Sequence, residues 1–371
     1  MKPKRKITPF HVMALVREAQ RYEDTVHFEV GQPDLPPPPG VRRALAEVAE
    51  AGFFGYTESR GLMELRRKIA DHYRHEYGVE VSPERILVTP GSSVAFMVAY
   101  TLVLGVGERL GVADPSYPCY KNFATMVGAE TVAIPAGVEA SFQIRPEMLE
   151  GRRLSALHVA SPNNPTGILY DPDNLKALTE YCEAEGIALL SDELYHGLVY
   201  DTKPRTALEF GENVLVANGF SKAFCMPGLR LGWLVVPEAL AEAAENVVQN
   251  LYLSAPTLSQ YAALEAFDHD YLAKVRTTFR TRRDWLYGEL KELFDIPAKP
   301  EGAFYLWCDA SRYTDDAFEF SRRLLHERHV AVTPGLDFGE YGTKRALRFA
   351  YTRGIEEMKR GVERLRDFIK A

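Results

Sequence analysis

Along the 371-residue chain, clusters of chemically capable residues stand directly after short apolar runs. Gly91-Ser92-Ser93 follows the run 86–89, Tyr117 closes Asp114-Pro115-Ser116-Tyr117 after 110–113, and Asn164 lies in the stretch 161–167 after 157–160. Asp192 and Tyr195 follow 187–190, and Ser221-Lys222 follow 214–217. Small residues opening a helix leave backbone N–H groups free for a phosphate, with serine hydroxyls as further donors. A lysine amine forms a Schiff base with an aldehyde, and a carboxylate holds a pyridine nitrogen protonated. Singly, each feature has a plain explanation as a helix cap, a rim aromatic or a solvated lysine. Gathered in one site, the phosphate turn, carboxylate, phenol, amide and amine describe a site for pyridoxal phosphate.

The elements around them are such as would gather them. The runs 86–89, 110–113, 131–134, 157–160, 187–190, 214–217 and 231–236 are short and apolar on both faces, separated by stretches long enough for crossovers, such as 172–185. That alternation predicts a mostly parallel sheet between helices. Ligands of such sheets sit beyond the carboxyl ends of the strands, where these clusters fall. Upstream, the pattern predicts a helix over 9–21, an extended piece over 27–30 and a stiff connector at Pro36 to Pro39. Leu62, Leu65, Ile69 and Tyr73 then mark a helix that Gly78 stops, and a mostly apolar helix follows over 94–104. From about residue 271 the texture becomes α+β, with a helix over 272–293 leading into the stretch 304–308, helices over 315–327 and 355–370, and strands over 330–333 and 347–351. The expected fold is α/β: a large domain over 36–270, and a smaller α+β domain over 271–371 joined by the N-terminal segment 1–35.

Composition narrows the function classes. Lys and Arg number 44 against 51 Asp and Glu, a net charge of −7, with 46% apolar and 26% charged residues. Those values suit a globular protein and argue against a polybasic nucleic-acid binder, a disordered chain or a membrane-surface protein. Cys119, Cys182, Cys225 and Cys308 lie far apart without metal-ligand spacing, which suggests a reducing, cytoplasmic setting. Lys2, Lys4, Arg5 and Lys6 precede no apolar h-region, so no secretory signal is expected, and no apolar run approaches the roughly 18 residues of a membrane span. The glycines of 105–111 precede a strand instead of following one, against a dinucleotide site. His72 and His75 lack the order of a zinc protease and read as solvated. No metal is expected.

The block Ser221-Lys222-Ala223-Phe224-Cys225-Met226-Pro227-Gly228-Leu229-Arg230-Leu231-Gly232-Trp233, with 161–167 and Asp192 to Tyr195 upstream, resembles the class I/II aminotransferases of pyridoxal-phosphate fold type I. The resemblance runs over nearly the whole chain. It implies that Lys222 carries pyridoxal 5'-phosphate as a Schiff base and that Asp192 pairs with the ring nitrogen. Asn164 and Tyr195 match the residues that hydrogen-bond the ring's phenolic oxygen, Tyr117 the aromatic stacked on the ring, and Ser92, Ser93, Ser221 and Arg230 the phosphate ligands. Tyr56 matches a tyrosine reaching the phosphate of a neighbouring subunit, which implies a homodimer. Arg348 matches the clamp on the substrate α-carboxylate, with Gly31 offering a main-chain N–H beside it.

Two departures accompany these matches. Gly219 stands where many relatives have a serine, and 250–254 lack the arginine that aspartate-specialised relatives place there, which counts against a dicarboxylate pocket of that design. The expected activity is transfer of an amino group between an L-amino acid and a 2-oxo acid in a ping-pong reaction. A carbon–sulfur β-lyase on the same fold is the alternative, and a non-catalytic cofactor-binding regulator is a third reading.

Overall fold

The computed structural model describes residues 5–371, so Lys2 and Lys4 of the basic N-terminus lie outside the described residues. The chain opens with α1 (His11–Ala19), the short strand β1 (Val26–His27), α2 (Pro39–Ala51) and α3 (Met63–Tyr77). Then come β2 (Ile86–Thr89), α4 (Ser92–Val103), β3 (Arg109–Asp114), α5 (Cys119–Val127), β4 (Glu130–Pro135), β5 (Ala156–Ala160), α6 (Pro172–Ala184), β6 (Ala188–Asp192), β7 (Val214–Gly219) and β8 (Gly232–Val235). Helices α7 (Ala241–Leu251), α8 (Thr257–Ala263) and α9 (His269–Leu290) lead to β9 (Tyr305–Asp309), α10 (Ala317–Arg328), β10 (Val330–Ala331), β11 (Thr333–Pro334), β12 (Ala346–Ala350) and α11 (Ile355–Lys370).

Strands β2 to β8 form one seven-stranded sheet in the order β2-β8-β7-β6-β5-β3-β4. Only β8 runs against the others, pairing antiparallel with both β2 and β7. Successive side chains feed opposite cores: Leu87 packs with α4 and α7, whereas Ile86 and Val88 pack in the larger core on the other face. Burial on both faces is what the uninterrupted apolar runs demand. Order along the sheet sets the carboxyl ends of β5, β6 and β7 side by side, with Ala160 paired to Asp192 and Asp192 to Ala217.

A second, three-stranded antiparallel sheet runs β11-β12-β9, and β1 pairs parallel with β10, Val26 against Val330. Residue 348 sits in the middle of β12, between Trp307 of β9 and Thr333 of β11. Helix α11 buries Met358, Val362, Leu365 and Phe368 at three- and four-residue spacing, the stripe expected of an amphipathic helix. Helix α1 turns Leu15 and Ala19 against Leu325 and Ala331.

Two expectations need correction. Pro39 is not part of an extended connector but the first residue of α2, with Pro38 still extended before it. A proline is tolerated there because the first-turn N–H has no helical partner. His72 is half-buried, its ring 6.1 Å from that of Phe224 and 5.5 Å from that of Phe267, with a buried Nδ1 that has no partner among the described residues. Burial pushes this imidazole down to about 3, with the neighbouring His269 and His75 adding to the shift. Among the described residues, no helix is long and apolar enough to cross a membrane.

Candidate active site

A cavity of about 440 Å³ opens beyond the carboxyl ends of the central strands, within the range of small-molecule sites. At one end, Ser92 and Ser93 open α4, and Gly91 before them provides no side-chain cap. Their N–H groups therefore face the cavity without partners among the described residues. The loops meet closely here. A Cβ on Gly91 would lie 2.5 Å from a guanidinium nitrogen of Arg230, and one on Gly232 would lie 2.8 Å from the backbone nitrogen of Ser92. Ser221 is buried beside them, and Arg230 takes a left-handed backbone conformation that turns its side chain over the cup. The same crowding accounts for Gly219, whose added Cβ would meet backbone atoms of Leu231 and Gly232 at 3.2 Å.

Asp192 ends β6 in the middle of the cavity. Its Oδ2 accepts a hydrogen bond from Tyr120 Oη at 2.6 Å and its Oδ1 one from the Leu194 N–H at 3.0 Å. Burial still dominates and pushes the carboxyl up to about 6, opposed by those two donors and by the Lys222 charge. Tyr120 is held in turn by the ring of His158, 3.8 Å between centroids, and His158 Nδ1 hydrogen-bonds Tyr100 Oη at 2.6 Å. Lys222 lies just beyond β7. Its amine donates to the Gly31 carbonyl at 2.7 Å and stands 5.4 Å from the ring centroid of Phe304. Burial lowers its pKa to about 8, with the Arg348 charge acting in the same direction and Asp192 against it.

At the far end Arg348 is buried. It donates to Asn164 Oδ1 at 2.9 Å, to the Glu29 carbonyl at 2.7 Å and to Thr333 Oγ1 at 3.1 Å, with its guanidinium 4.3 Å from the ring centroid of Tyr305. Its Nε has no hydrogen-bond partner, and no described carboxylate forms an ion pair with it. A buried cation held only by neutral groups is a site for an anion. Tyr195 Oη meets Tyr305 Oη at 2.8 Å, and a Cβ on Gly31 would collide with that Tyr305 hydroxyl at 2.1 Å. Tyr117 lines the cavity between Phe10, at 6.4 Å, and Tyr120, at 5.5 Å.

Of the residues expected from sequence, Ser92, Ser93, Tyr117, Asn164, Asp192, Tyr195, Ser221, Lys222, Arg230, Gly31 and Arg348 all border this cavity. Tyr56 does not: it is 78% exposed, next to the exposed Phe53 and Phe54. The cavity also has walls that the sequence did not announce. Tyr120 holds the carboxylate, Tyr305 holds Tyr195, and Phe10, Val12, Met13, Val16, Asp337 and Phe338 enclose the mouth. Tyr120 could have been found as the residue three beyond Tyr117; nothing local marks the others.

The donor set fits pyridoxal phosphate. An uncapped helix start with hydroxyls and a guanidinium suits a phosphate, a buried carboxylate short of charged partners suits a pyridinium nitrogen, and a half-buried amine of lowered pKa suits an aldehyde.

Comparison with known proteins agrees with that chemistry. The profile of aminotransferase class I and II matches residues 23–365, and the chain belongs to this family. It is 37% identical over 344 residues to the valine–pyruvate aminotransferase of Mycobacterium tuberculosis, covering 90% of this chain and 89% of that protein. To the (5-formylfuran-3-yl)methyl phosphate transaminase of Methanocaldococcus jannaschii it is 35% identical over 371 residues, covering 97% and 96%. The crystal structure of an aminotransferase from Mycobacterium tuberculosis superposes with a TM-score of 0.94 at 35% identity, covering 98% of this chain and 97% of that one. Members of the family depend on pyridoxal phosphate, and this chain is a pyridoxal-phosphate-dependent aminotransferase of fold type I. The relatives bear aminotransferase names, which sets the β-lyase alternative aside.

Proposed function

We propose that the enzyme passes an amino group from an L-amino acid to a 2-oxo acid in two half-reactions through one cavity, with Lys222 as both the cofactor's anchor and the carrier of the proton. The observation that carries this reading is the shared cavity of a half-buried amine, a buried carboxylate on the adjacent strand and a buried arginine with no anionic partner among the described residues. When bound, pyridoxal phosphate supplies an aldehyde for the substrate amine and a protonated ring that takes up electron density from the α-carbon.

The chain's own residues do the rest. Ser92, Ser93, Ser221 and Arg230 hold the phosphate. Asp192 would favour a protonated ring nitrogen by its charge, and Asn164, Tyr195 and Tyr117 would hold the ring, the first two through hydrogen bonds to its phenolic oxygen and the third by stacking. Arg348 clamps the substrate α-carboxylate with its planar fork of donors, assisted by Asn164 and the Gly31 N–H. With its pKa lowered to about 8, the Lys222 amine is partly neutral at neutral pH and, with the cofactor bound, would be suited to take a proton from the substrate α-carbon and hold it for return. The hydroxyl pair of Tyr195 and Tyr305 closes that side against water.

A homodimer in which Tyr56 reaches the neighbouring cavity accords with the exposure of Phe53, Phe54 and Tyr56 on one protomer. The pairing of β1 with β10 supports assigning 1–35 and 271–371 to one domain and 36–270 to the other. Four unpaired cysteines, three of them buried, suit a cytoplasmic setting. Borohydride reduction of the cofactor-loaded protein, followed by peptide mass spectrometry, tests the central role. The label is expected on Lys222, and Lys222→Ala is expected to lose at least about a thousandfold in turnover. A label elsewhere, or near-normal activity in the variant, refutes the reading.

A further inference from the structure

The relatives named above act on chemically different compounds, so the substrate has to be read from the walls of this cavity. Of the cations bordering it, Arg230 stands over the serine cup, Lys222 is the amine near the centre, and Arg348 is bonded to Asn164 beside the far end. Among the described residues of this chain, none is left over for a second carboxylate. Of the two other carboxylates on the wall, Glu29 takes His27 Nδ1 on its Oε1 at 2.7 Å while its Oε2 has no partner among the described residues, and Asp337 is occupied as described next.

The remaining wall is apolar and comes from the N-terminus. Val12, Met13 and Val16 recur at helical spacing on the face of α1 that meets the cavity, adjacent to the buried Leu15 and Ala19. Phe10, Tyr117 and Phe338 continue this surface. Its position is fixed from both sides. Asp337 accepts from the backbone N–H of His11 and of Val12, each at 2.7 Å, and from His11 Nδ1 at 2.9 Å. It thereby caps a helix whose own N-cap residue, Phe10, has no capping side chain. From the other side, Asn122 of α5 accepts from the Thr8 N–H at 2.9 Å and donates to the Thr8 carbonyl at 3.0 Å.

We infer that the amino donors of this enzyme are those with apolar side chains, aliphatic or aromatic, and that Val12, Met13 and Val16 of α1 select them. A side chain laid against this wall gains by leaving water, whereas a distal carboxylate would be desolvated with no cation to receive it. The inference rests on the aminotransferase reading and on Arg348 holding the α-carboxylate, which leaves the side chain to face α1.

The test compares single-turnover rates of the cofactor-loaded enzyme with leucine, methionine and phenylalanine against those with aspartate and glutamate, read from the cofactor's absorbance. The apolar group is expected to exceed the dicarboxylates in kcat/KM by at least about 100-fold. Calorimetry supplies a readout without turnover: 4-methylpentanoate is expected to bind at least about tenfold more tightly than succinate. Met13→Arg, at a position that is 53% exposed and so open to a longer side chain, is expected to narrow the rate gap at least about tenfold by receiving the distal carboxylate. Aspartate reacting as fast as leucine, or succinate binding as well as the apolar acid, overturns the substrate class while amino transfer itself stands. An unchanged ratio in Met13→Arg overturns the part given to α1. Absence of any reaction with every amino acid overturns the inference together with the function it rests on.

Discussion

Asp192→Asn is expected to weaken the enzyme's chemistry while making the cofactor-free protein more stable. The carboxyl is raised from an ordinary 3.8 to about 6, mainly by burial, a shift of about two units. At about 1.4 kcal/mol per unit, the ionised group costs the folded state roughly 3 kcal/mol at neutral pH. The sign follows from proton binding. Between about pH 4 and 6 the folded chain retains a proton that the unfolded chain has released, so raising the pH through that window destabilises the fold, and above it the penalty stays constant. Asparagine removes the charge and preserves the hydrogen bonds: its oxygen accepts from Leu194, and its amide donates to Tyr120, whose hydroxyl turns to accept. Denaturation of cofactor-free wild type and variant at a series of pH values measures the difference. The variant should gain little near pH 4, gain increasingly up to pH 6, and hold a constant advantage above it. The cofactor-loaded variant should lose at least about 100-fold in kcat, because a neutral amide no longer favours the protonated ring. A cofactor-free variant less stable than wild type at pH 7.5, or an advantage that does not vary with pH, refutes the argument that burial dominates at this carboxylate.

Other consequences can be measured directly. Because Lys222 reacts as the neutral amine and its pKa is lowered to about 8, the rate of cofactor uptake by the stripped protein should climb about tenfold per pH unit below 8 and level off above it, as followed by stopped-flow absorbance. Arg348→Lys keeps the charge and loses the fork that engages Asn164, Glu29 and Thr333; steady-state kinetics should show KM for the amino acid raised roughly 30-fold with kcat changed much less.

Most of the cavity's lining on the sheet side could be read from sequence because the fold separates it neatly. Residues just past apolar runs fall at one edge of a parallel sheet, so order along the chain converts into proximity without knowledge of the packing. Asp192 and Lys222 were found in that way. What escaped depends on contacts that no local pattern records. Phe10 precedes, and Val12, Met13 and Val16 belong to, a helix whose adjoining face carries an ordinary apolar stripe, so nothing in their spacing tells a cavity wall from a core. Asp337 caps α1 from more than 300 positions away, and Tyr305 becomes informative only when Tyr195 is seen to meet it. His72 misled for a related reason: a charged helix suggests solvent around every polar residue, but Phe224 and Phe267 close over this one.

The arrangement of Asp337 and Arg348 has a bearing on biosynthesis. The serine cup, the carboxylate and the amine have all left the ribosome once the eighth strand has emerged, whereas the partner that tethers the opening helix and the guanidinium beside it come more than a hundred residues later. The two ends of one cavity are thus completed by segments made at well-separated times.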